Sequence, residues 1–328
     1  MKKVLITGSA GHLGEALVRT FKQRFPQTEV ISIDVLASPF TTHQGSIVDA
    51  DLVERCMAGV DTVIHPATLH KPHVATHSRQ DFVDTNITGT LNLLEAAVRH
   101  KVARFIFTST TSTFGHAMGK DPSEATWITE DVVPIPKNIY GLTKIAAENM
   151  CALFHQKFKL PVLVLRTSRF FPEEDDNRNT RDAFSCDNTK LIEYLYRRVD
   201  IEDVVEAHLC ALERAEAIGF DTYIISATTP FTRADLVDLK TDPAKVVQRV
   251  ADYGPFFKKQ GWRMFPSIDR VYVNTKAREA LGWTPRYDFQ AMLARLQAGD
   301  PLQTPLAQVL GKKGYHKETF EDGPFPVD

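Results

Sequence analysis

Through the first two thirds of the chain, short apolar runs alternate with longer stretches whose apolar residues recur at helical spacing. Residues 4–7, 30–33, 60–65, 105–108 and 162–166 read as strands, and residues 13–25, 49–58, 81–100 and 140–158 as the helices between them. The 81–100 stretch carries Phe82, Ile87, Leu91, Leu94 and Val98 as one stripe. Such alternation predicts the α/β class: a doubly wound parallel sheet with right-handed crossovers and helices on both faces. After Arg166 the regularity breaks. Residues 171–186 (FPEEDDNRNTRDAFSC) are acidic and turn-rich, which predicts a loop or a mobile insert. A helix at 202–214 and a strand at 223–226 restore the earlier pattern, and the Pro- and Gly-richer remainder predicts a smaller second lobe.

Composition narrows the function classes. The 328 residues are 43% hydrophobic and 24% charged, ordinary for a globular protein. Lys and Arg number 39 against 41 Asp and Glu, so no basic surplus exists to neutralise a nucleic-acid backbone. No apolar run approaches the ~18 residues of a membrane span, and the first strand starts too early for a signal peptide to precede it. Cys56, Cys151, Cys186 and Cys210 form no CxxC pair, so reduced thiols and a cytoplasmic location are expected.

The first strand runs into Thr7-Gly8-Ser9-Ala10-Gly11-His12-Leu13-Gly14 and then a helix. Gly8 permits a tight turn, Gly11 a close backbone approach to a pyrophosphate, and Gly14 close packing of helix on sheet. A lone glycine pattern says little; between a strand and a helix opening a βαβ unit, it predicts dinucleotide binding. Asp34 ends the second strand, where a carboxylate accepts hydrogen bonds from an adenosine ribose and repels a 2′-phosphate, favouring NAD over NADP.

Tyr140 and Lys144, in YGLTK, stand at i and i+4 on one helix face. A neighbouring ammonium favours tyrosinate, so Lys144 is expected to lower the phenol's pKa and make Tyr140 an acid or base near neutrality. The helix follows a strand end of six hydroxyl side chains, residues 108–113 (TSTTST), at the carboxyl edge where doubly wound sheets bind ligands.

TGSAGHLG, Asp34, His65-Pro66-Ala67, Asn86, the hydroxyl run and YGLTK together resemble the extended short-chain dehydrogenase/reductase superfamily. More narrowly they resemble its NAD-dependent epimerase/dehydratase family, which includes nucleotide-sugar 4-epimerases. Arg198–Val204 (RVDIEDV) and LGWTP at 281–285 extend the resemblance over nearly the whole chain. It implies a Rossmann domain over 1–172 with a return segment at 199–229, and an interleaved substrate lobe over 173–198 and 230–328. It implies NAD held by Gly8, Ala10, Gly11, His12, Leu13, Gly14, Asp34, Ser46, Ile47, Pro66, Ala67, Asn86, Thr108, Tyr140 and Lys144. Catalysis would fall to Tyr140 as acid/base, Lys144 as its tuner and Thr110 as the hydroxyl partner, with Ser109 and Thr111 as alternates to Thr110. The implied partners are a small-molecule substrate and a second copy of the chain, with no nucleic acid and no membrane.

One position departs from the pattern. Arg169 stands where sugar-nucleotide epimerases carry an Asn, beside an acidic run. Two readings stay open: a clamp on a substrate carboxylate or phosphate, or an ion pair with that run. His70, His73 and His77 lack the ligand set of a metal site because Pro72 interrupts their spacing, so no metal is expected; His73 remains a candidate substrate contact, as does Thr111. The expected activity is hydride transfer at a hydroxyl or keto carbon of a sugar or nucleotide sugar. The alternatives are a dehydrogenase or ketoreductase of a small sugar acid, steroid-like or flavonoid-like substrate, and a non-enzymatic NAD(P) sensor.

Overall fold

The computed structural model describes residues 1–119, 121–314 and 320; the expected lobe's share at 315–319 and 321–328 lies outside the described residues. In chain order the first half contains β1 (Lys3–Thr7), α1 (His12–Arg24), β2 (Glu29–Asp34), β3 (His43–Gln44), α2 (Ala50–Met57), β4 (Thr62–His65), α3 (Arg79–Val83), α4 (Gly89–Arg99) and β5 (Arg104–Thr110). There follow β6 (Thr126–Ile128), α5 (Ile139–Phe158), β7 (Val162–Thr167), α6 (Arg178–Ala183), α7 (Cys186–Glu193), α8 (Ile201–Ile218), β8 (Phe220–Ile225) and β9 (Arg270–Tyr272).

Seven strands form one sheet in the order β3-β2-β1-β4-β5-β7-β8, and each neighbouring pair in it is parallel. The chain winds outward in both directions from β1, so the carboxyl ends of β1 and β4 flank a switch point where ligands bind in such sheets. Alternate strand residues enter opposite cores. Val4, Ile6 and Ile106 pack with Leu17 and Phe21 of α1 and Val204 and Leu212 of α8; Leu5, Val63, Phe105 and Phe107 pack with Leu52, Leu94 and Phe154 of the α2, α4 and α5 layer. A third core, including Leu191, Leu195, Phe231, Val246, Phe257 and Met292, lies in the later chain, and the expected second-lobe residues Trp262, Met264 and Phe265 belong to it.

Two expectations are corrected. The helix expected over 81–100 is interrupted: α3 gives way to a single π turn, Asp84–Thr88, before α4. The wider turn carries Asn86 inward, where its side chain makes the bonds described below; such turns concentrate at functional sites. The acidic insert is ordered and folded inward. Asn177 and Ser185 cap α6 and α7, each accepting a backbone N–H three residues on. Asp175 accepts from Arg169 (2.9 Å) and Arg197 (3.1 Å), Asp176 pairs with Lys71, and Glu193 at the end of α7 meets Arg198 (2.7 Å) and Arg197 (2.6 Å). These charges neutralise one another, which is why Glu173 and Asp175 are buried in so acidic a stretch; the expected loop is found over 171–177, and α6, with no buried residue, follows it at the surface.

Glu193 is fully buried. Burial alone would raise its pKa, but Arg197, Arg198 and Arg169 outweigh it and hold the carboxyl at about 2. Its folded value lies below the unfolded one, so its stabilisation is full above pH ~4.3 and fades as pH falls toward the folded value. Glu193→Gln is therefore expected to cost about 3–5 kcal/mol at neutral pH, because buried guanidiniums lose their partner. The gap to the unsubstituted protein should narrow through the acid range, which urea unfolding at stepped pH measures.

Candidate active site

The site lies along the carboxyl edge of the sheet. Gly8 leaves β1 with φ +66°, and a Cβ there would stand 2.9 Å from Ala67 Cα, so the β1 turn and the β4 exit approach as only glycine allows. At Gly14 a Cβ would fall 1.9 Å from the Gly8 carbonyl oxygen, and the first turn of α1 packs directly on the glycine turn. Gly11 is the N-cap of α1 without a side-chain cap bond, leaving first-turn amides at the positive end of a 13-residue helix. Asp34 holds the turn from β2, its carboxylate accepting from Ala10 N and Leu36 N at 2.8 Å each. A bare helix start, a turn without Cβ atoms and a strand-end carboxylate are the features a dinucleotide requires, so these residues fit that cofactor.

Other expected cofactor residues enter differently from the sequence reading. Leu13 and Ile47 are buried in the cores, and Ser46 Oγ accepts from Val48 N (3.1 Å) within its own turn. The His12 imidazole lies 3.3 Å from Glu173 and 3.2 Å from the Gly311 carbonyl, so only its backbone faces the turn's function. Pro66 and Ala67 follow β4, where Ala67 N donates to Thr7 Oγ1 (3.1 Å) and that hydroxyl meets His65 Nδ1 (2.8 Å). Burial, with the Lys144 charge adding to it, holds the His65 pKa well below the ordinary range, so the imidazole is neutral.

Asn86 joins three segments. Its Oδ1 accepts from Leu69 N (2.8 Å) and Thr68 Oγ1 (2.9 Å), while Nδ2 donates to Leu69 O (2.9 Å) and Thr143 Oγ1 (3.0 Å). The loop after β4 is thereby tied to α5 between Tyr140 and Lys144.

Helix α5 begins at Asn138, whose side chain accepts from Gly141 N, and points Tyr140 and Lys144 at the end of β5. The Thr110 side chain opposes the rise that burial imposes on the Tyr140 phenol, while the Ser109 hydroxyl is taken by Glu148 (2.5 Å), so Thr110 is the hydroxyl we carry forward. Thr111 is buried as the first residue of a 3₁₀ turn, Thr111–Phe114. Lys144 Nζ donates to the Thr108 carbonyl (2.7 Å) and stands 3.9 Å from the Phe107 ring centroid. Thr108 thus contributes its carbonyl to Lys144, and its hydroxyl meets His208 Nε2 of α8 at 2.8 Å.

The expected lowering of the phenol by Lys144 is not found. Burial pushes Tyr140 up to about 12, against which the Thr110 bond works, and burial pushes Lys144 down to about 7. The physical reason is direction: the ammonium faces the Thr108 carbonyl and the Phe107 ring, while the phenol loses its water. Arg169 is likewise corrected as a substrate clamp. Its Nη1 meets Asp175 (2.9 Å) and Asp176 (3.4 Å), and its Nη2 donates to the Glu174 carbonyl (2.8 Å).

Above Tyr140 lies the 70–77 histidine loop. The His70 ring stands edge-on to His73 (centroids 4.6 Å apart) and to Tyr140 (6.5 Å), and His73 Nδ1 accepts from His70 N (3.0 Å). Among the described residues, no group of three His, Cys, Asp or Glu side chains is placed to hold a metal ion. Glu148 and Arg166 were missed by sequence reasoning. The available signal was a second i+4 step from Tyr140 through Lys144 to a carboxylate on the same helix face.

A family model described as the NAD dependent epimerase/dehydratase family matches residues 4–226. The dTDP-D-glucose 4,6-dehydratase of Dictyostelium discoideum is 28% identical over 52% of this chain, which spans only 44% of that relative's length. The dTDP-glucose 4,6-dehydratase of Streptomyces antibioticus is 27% identical over 89% of this chain and 90% of its own. The uronate dehydrogenase of Agrobacterium fabrum is 29% identical over 60% of this chain and 72% of its own. Among solved structures, a short-chain dehydrogenase/reductase superfamily protein from Agrobacterium tumefaciens with bound NAD superposes with TM-score 0.64 at 21% identity, covering 94% of this chain and 99% of its own, a likeness of fold. With more than half of its length matched by that model, the chain belongs to the NAD-dependent epimerase/dehydratase family.

Proposed function

We propose that the chain interconverts a secondary alcohol and a ketone at one carbon of a sugar or nucleotide sugar, as a 4-epimerase of the UDP-glucose type does, with Tyr140 as the proton-transfer group. The observation that carries this reading is the buried pair at the end of β5: the Tyr140 phenol, and Lys144 anchored one helical turn away on the Thr108 carbonyl, with Thr110 the hydroxyl that acts on the phenol. Bound NAD supplies the hydride chemistry, the family's common resource. Gly8, Gly11, Gly14 and Asp34 are the residues we assign to the dinucleotide, with Asp34 selecting NAD by excluding a 2′-phosphate.

The residues' own work then follows from their state. The phenol of Tyr140 donates its proton to a substrate carbonyl oxygen and is left as phenolate; oxidation of the alcohol is the reverse step and starts from that phenolate, which takes the alcohol proton and returns to phenol. Thr110 hydrogen-bonds the phenol and the same substrate oxygen. Lys144 is proposed to bind the cofactor ribose from its position between Tyr140 and the strand. Asn86 positions the loop after β4, where His73 is a candidate substrate contact; Thr111, in the turn after β5, is the other. Residues 173–198 with 230–328 form the proposed substrate lobe.

One observation favours a second reading, dehydrogenation of a free sugar acid. Arg169, in place of the Asn that sugar-nucleotide epimerases carry, is committed to Asp175 and Asp176 and is withdrawn from a diphosphate. The uronate dehydrogenase match supports that reading as well. Tight NAD with inverted product marks the epimerase; exchangeable NAD with net NADH marks the dehydrogenase. A non-enzymatic sensor is disfavoured by the intact Tyr140–Thr110–Lys144 trio.

The four cysteines are free thiols, which supports a cytoplasmic location, and among the described residues no helix is long and apolar enough to cross a membrane. A homodimer through α4 and α5 is supported by Leu91, Leu142 and Leu153, which these two packed helices expose.

Four outcomes are expected. A panel of UDP-glucose, UDP-glucuronate, dTDP-glucose, D-glucuronate and D-galacturonate, followed by NADH absorbance and product stereochemistry, should identify a turned-over substrate. On it Tyr140→Phe should lose about 10²–10⁴-fold in kcat with NAD binding intact; retained turnover would refute the assignment. Gly14→Ala should lower Tm and abolish NAD binding by calorimetry, because the backbone it meets cannot move aside. Leu153→Glu should convert the dimer to monomer in sedimentation.

A further inference from the structure

Of the six consecutive hydroxyl residues 108–113, three end β5 and three open the turn after it, and the functional reading uses the hydroxyls of Thr110 and Thr111. Thr108 is spent on His208, Thr110 faces Tyr140, and Thr113 Oγ1 donates to the Thr110 carbonyl (2.8 Å). Ser109, between the two residues that meet Lys144 and Tyr140, donates to Glu148 Oε1 at 2.5 Å. Glu148 is the next step of the same helix face, at i+8 from Tyr140 and i+4 from Lys144, and is buried. Its carboxylate also receives Arg166: Nη2 to Oε2 at 2.7 Å and Nε to Oε1 at 3.1 Å. Arg166 is the register partner of Ser109 on β7, and the neighbouring Thr167 Oγ1 donates to the Ser109 carbonyl (3.0 Å). Three turns of α5 therefore grip three consecutive residues of β5, with the third grip braced from β7.

We infer that Glu148 is a positioning residue of the active site: fixed by Ser109 and Arg166, it locks the end of β5 so that the Thr108 carbonyl meets Lys144 and the Thr110 hydroxyl meets Tyr140, and it is the anionic counterpart of the buried Lys144 ammonium. The inference rests on the reading of Tyr140 and Lys144 as the working pair. The charges around Lys144 bear it out. From α5, Tyr140 and Cys151 are both pushed up by burial and stay protonated; from β4, His65 is neutral; from β5, Phe107 offers its ring. Arg166 from β7 is itself engaged by Glu148. Burial lowers Lys144 most, and the Glu148 charge is the largest opposing influence.

The test needs neither cofactor nor substrate, so it is separate from the Tyr140→Phe test of the catalytic reading. The full chain, labelled with ¹³Cε-lysine and assigned with Lys144→Met, is titrated by NMR. Glu148→Gln should lower the Lys144 midpoint by about one pH unit or more, and Glu148→Asp should recover at least half of that shift. Because Glu148→Gln strands Arg166, the double variant Glu148→Gln/Arg166→Met is the control; it should fold and lower the midpoint in the same direction. A midpoint within ~0.3 unit of the unsubstituted protein in a folded Gln variant overturns the inference, as does Glu148→Asp behaving like Glu148→Gln. Unfolding of the neutral double variant also overturns it, since the pair would then serve folding and not the site.

Discussion

A lysine ammonium enclosed between a helix and a strand is the constraint on which the rest of the site depends. An ammonium without partners in an apolar interior costs several kcal/mol and sheds its proton instead. Here the Thr108 carbonyl takes one N–H at 2.7 Å, the Phe107 ring covers the charge, and Glu148 sits one turn further along. That bond sets both the rotation of α5 and its position along β5. Tyr140, one turn toward the N-terminus, is thereby delivered to Thr110 at the sheet's edge.

The same logic governs the end of the neighbouring strand. Arg166 turns to Glu148 and Arg169 to Asp175 and Asp176, so two arginines three residues apart serve two different buried carboxylate groups. Lys71, from the loop after β4, joins the second group through Asp176. The loop over Tyr140 and the segment after β7 are thus held together by charge, where the cores on either side of the sheet are held by apolar packing. A near-neutral chain with a formal charge of −2 suits this arrangement, since most of its acids near the site are already paired.

Much of this was legible in the sequence. The apolar periodicity gave the strands and helices of the parallel sheet, because alternation and helical stripes are imposed by burial on two faces. The glycine turn was legible because Gly8 and Gly14 stand where backbone meets backbone, a local demand that glycine alone meets. YGLTK was legible because i and i+4 share a helix face. Three features escaped. The π turn in the 81–100 stretch leaves the helical spacing of the sequence unbroken while it shifts the faces in space: Phe82 and Leu94 are buried and Leu91 is exposed. The order of the acidic run depends on arginines at 169, 197 and 198, which approach it only after α7 and α8 fold. The direction of the Tyr140 shift depends on how much water burial removes, which no spacing reveals.

The sequence by itself determined the class of fold and the family, and singled out the pair we propose as reactive, because each follows from residues close together in the chain or from a period repeated along it. Tertiary structure decided which of six hydroxyls meets the phenol, where Arg169 spends its charge, and that Glu148 stands behind Lys144. Those outcomes turn on the register of β5 against β7 and on the seating of α5 over both. Hydrogen-bond direction, ion pairing and desolvation act over a few ångströms between segments far apart in sequence, and only the folded packing brings those segments within reach.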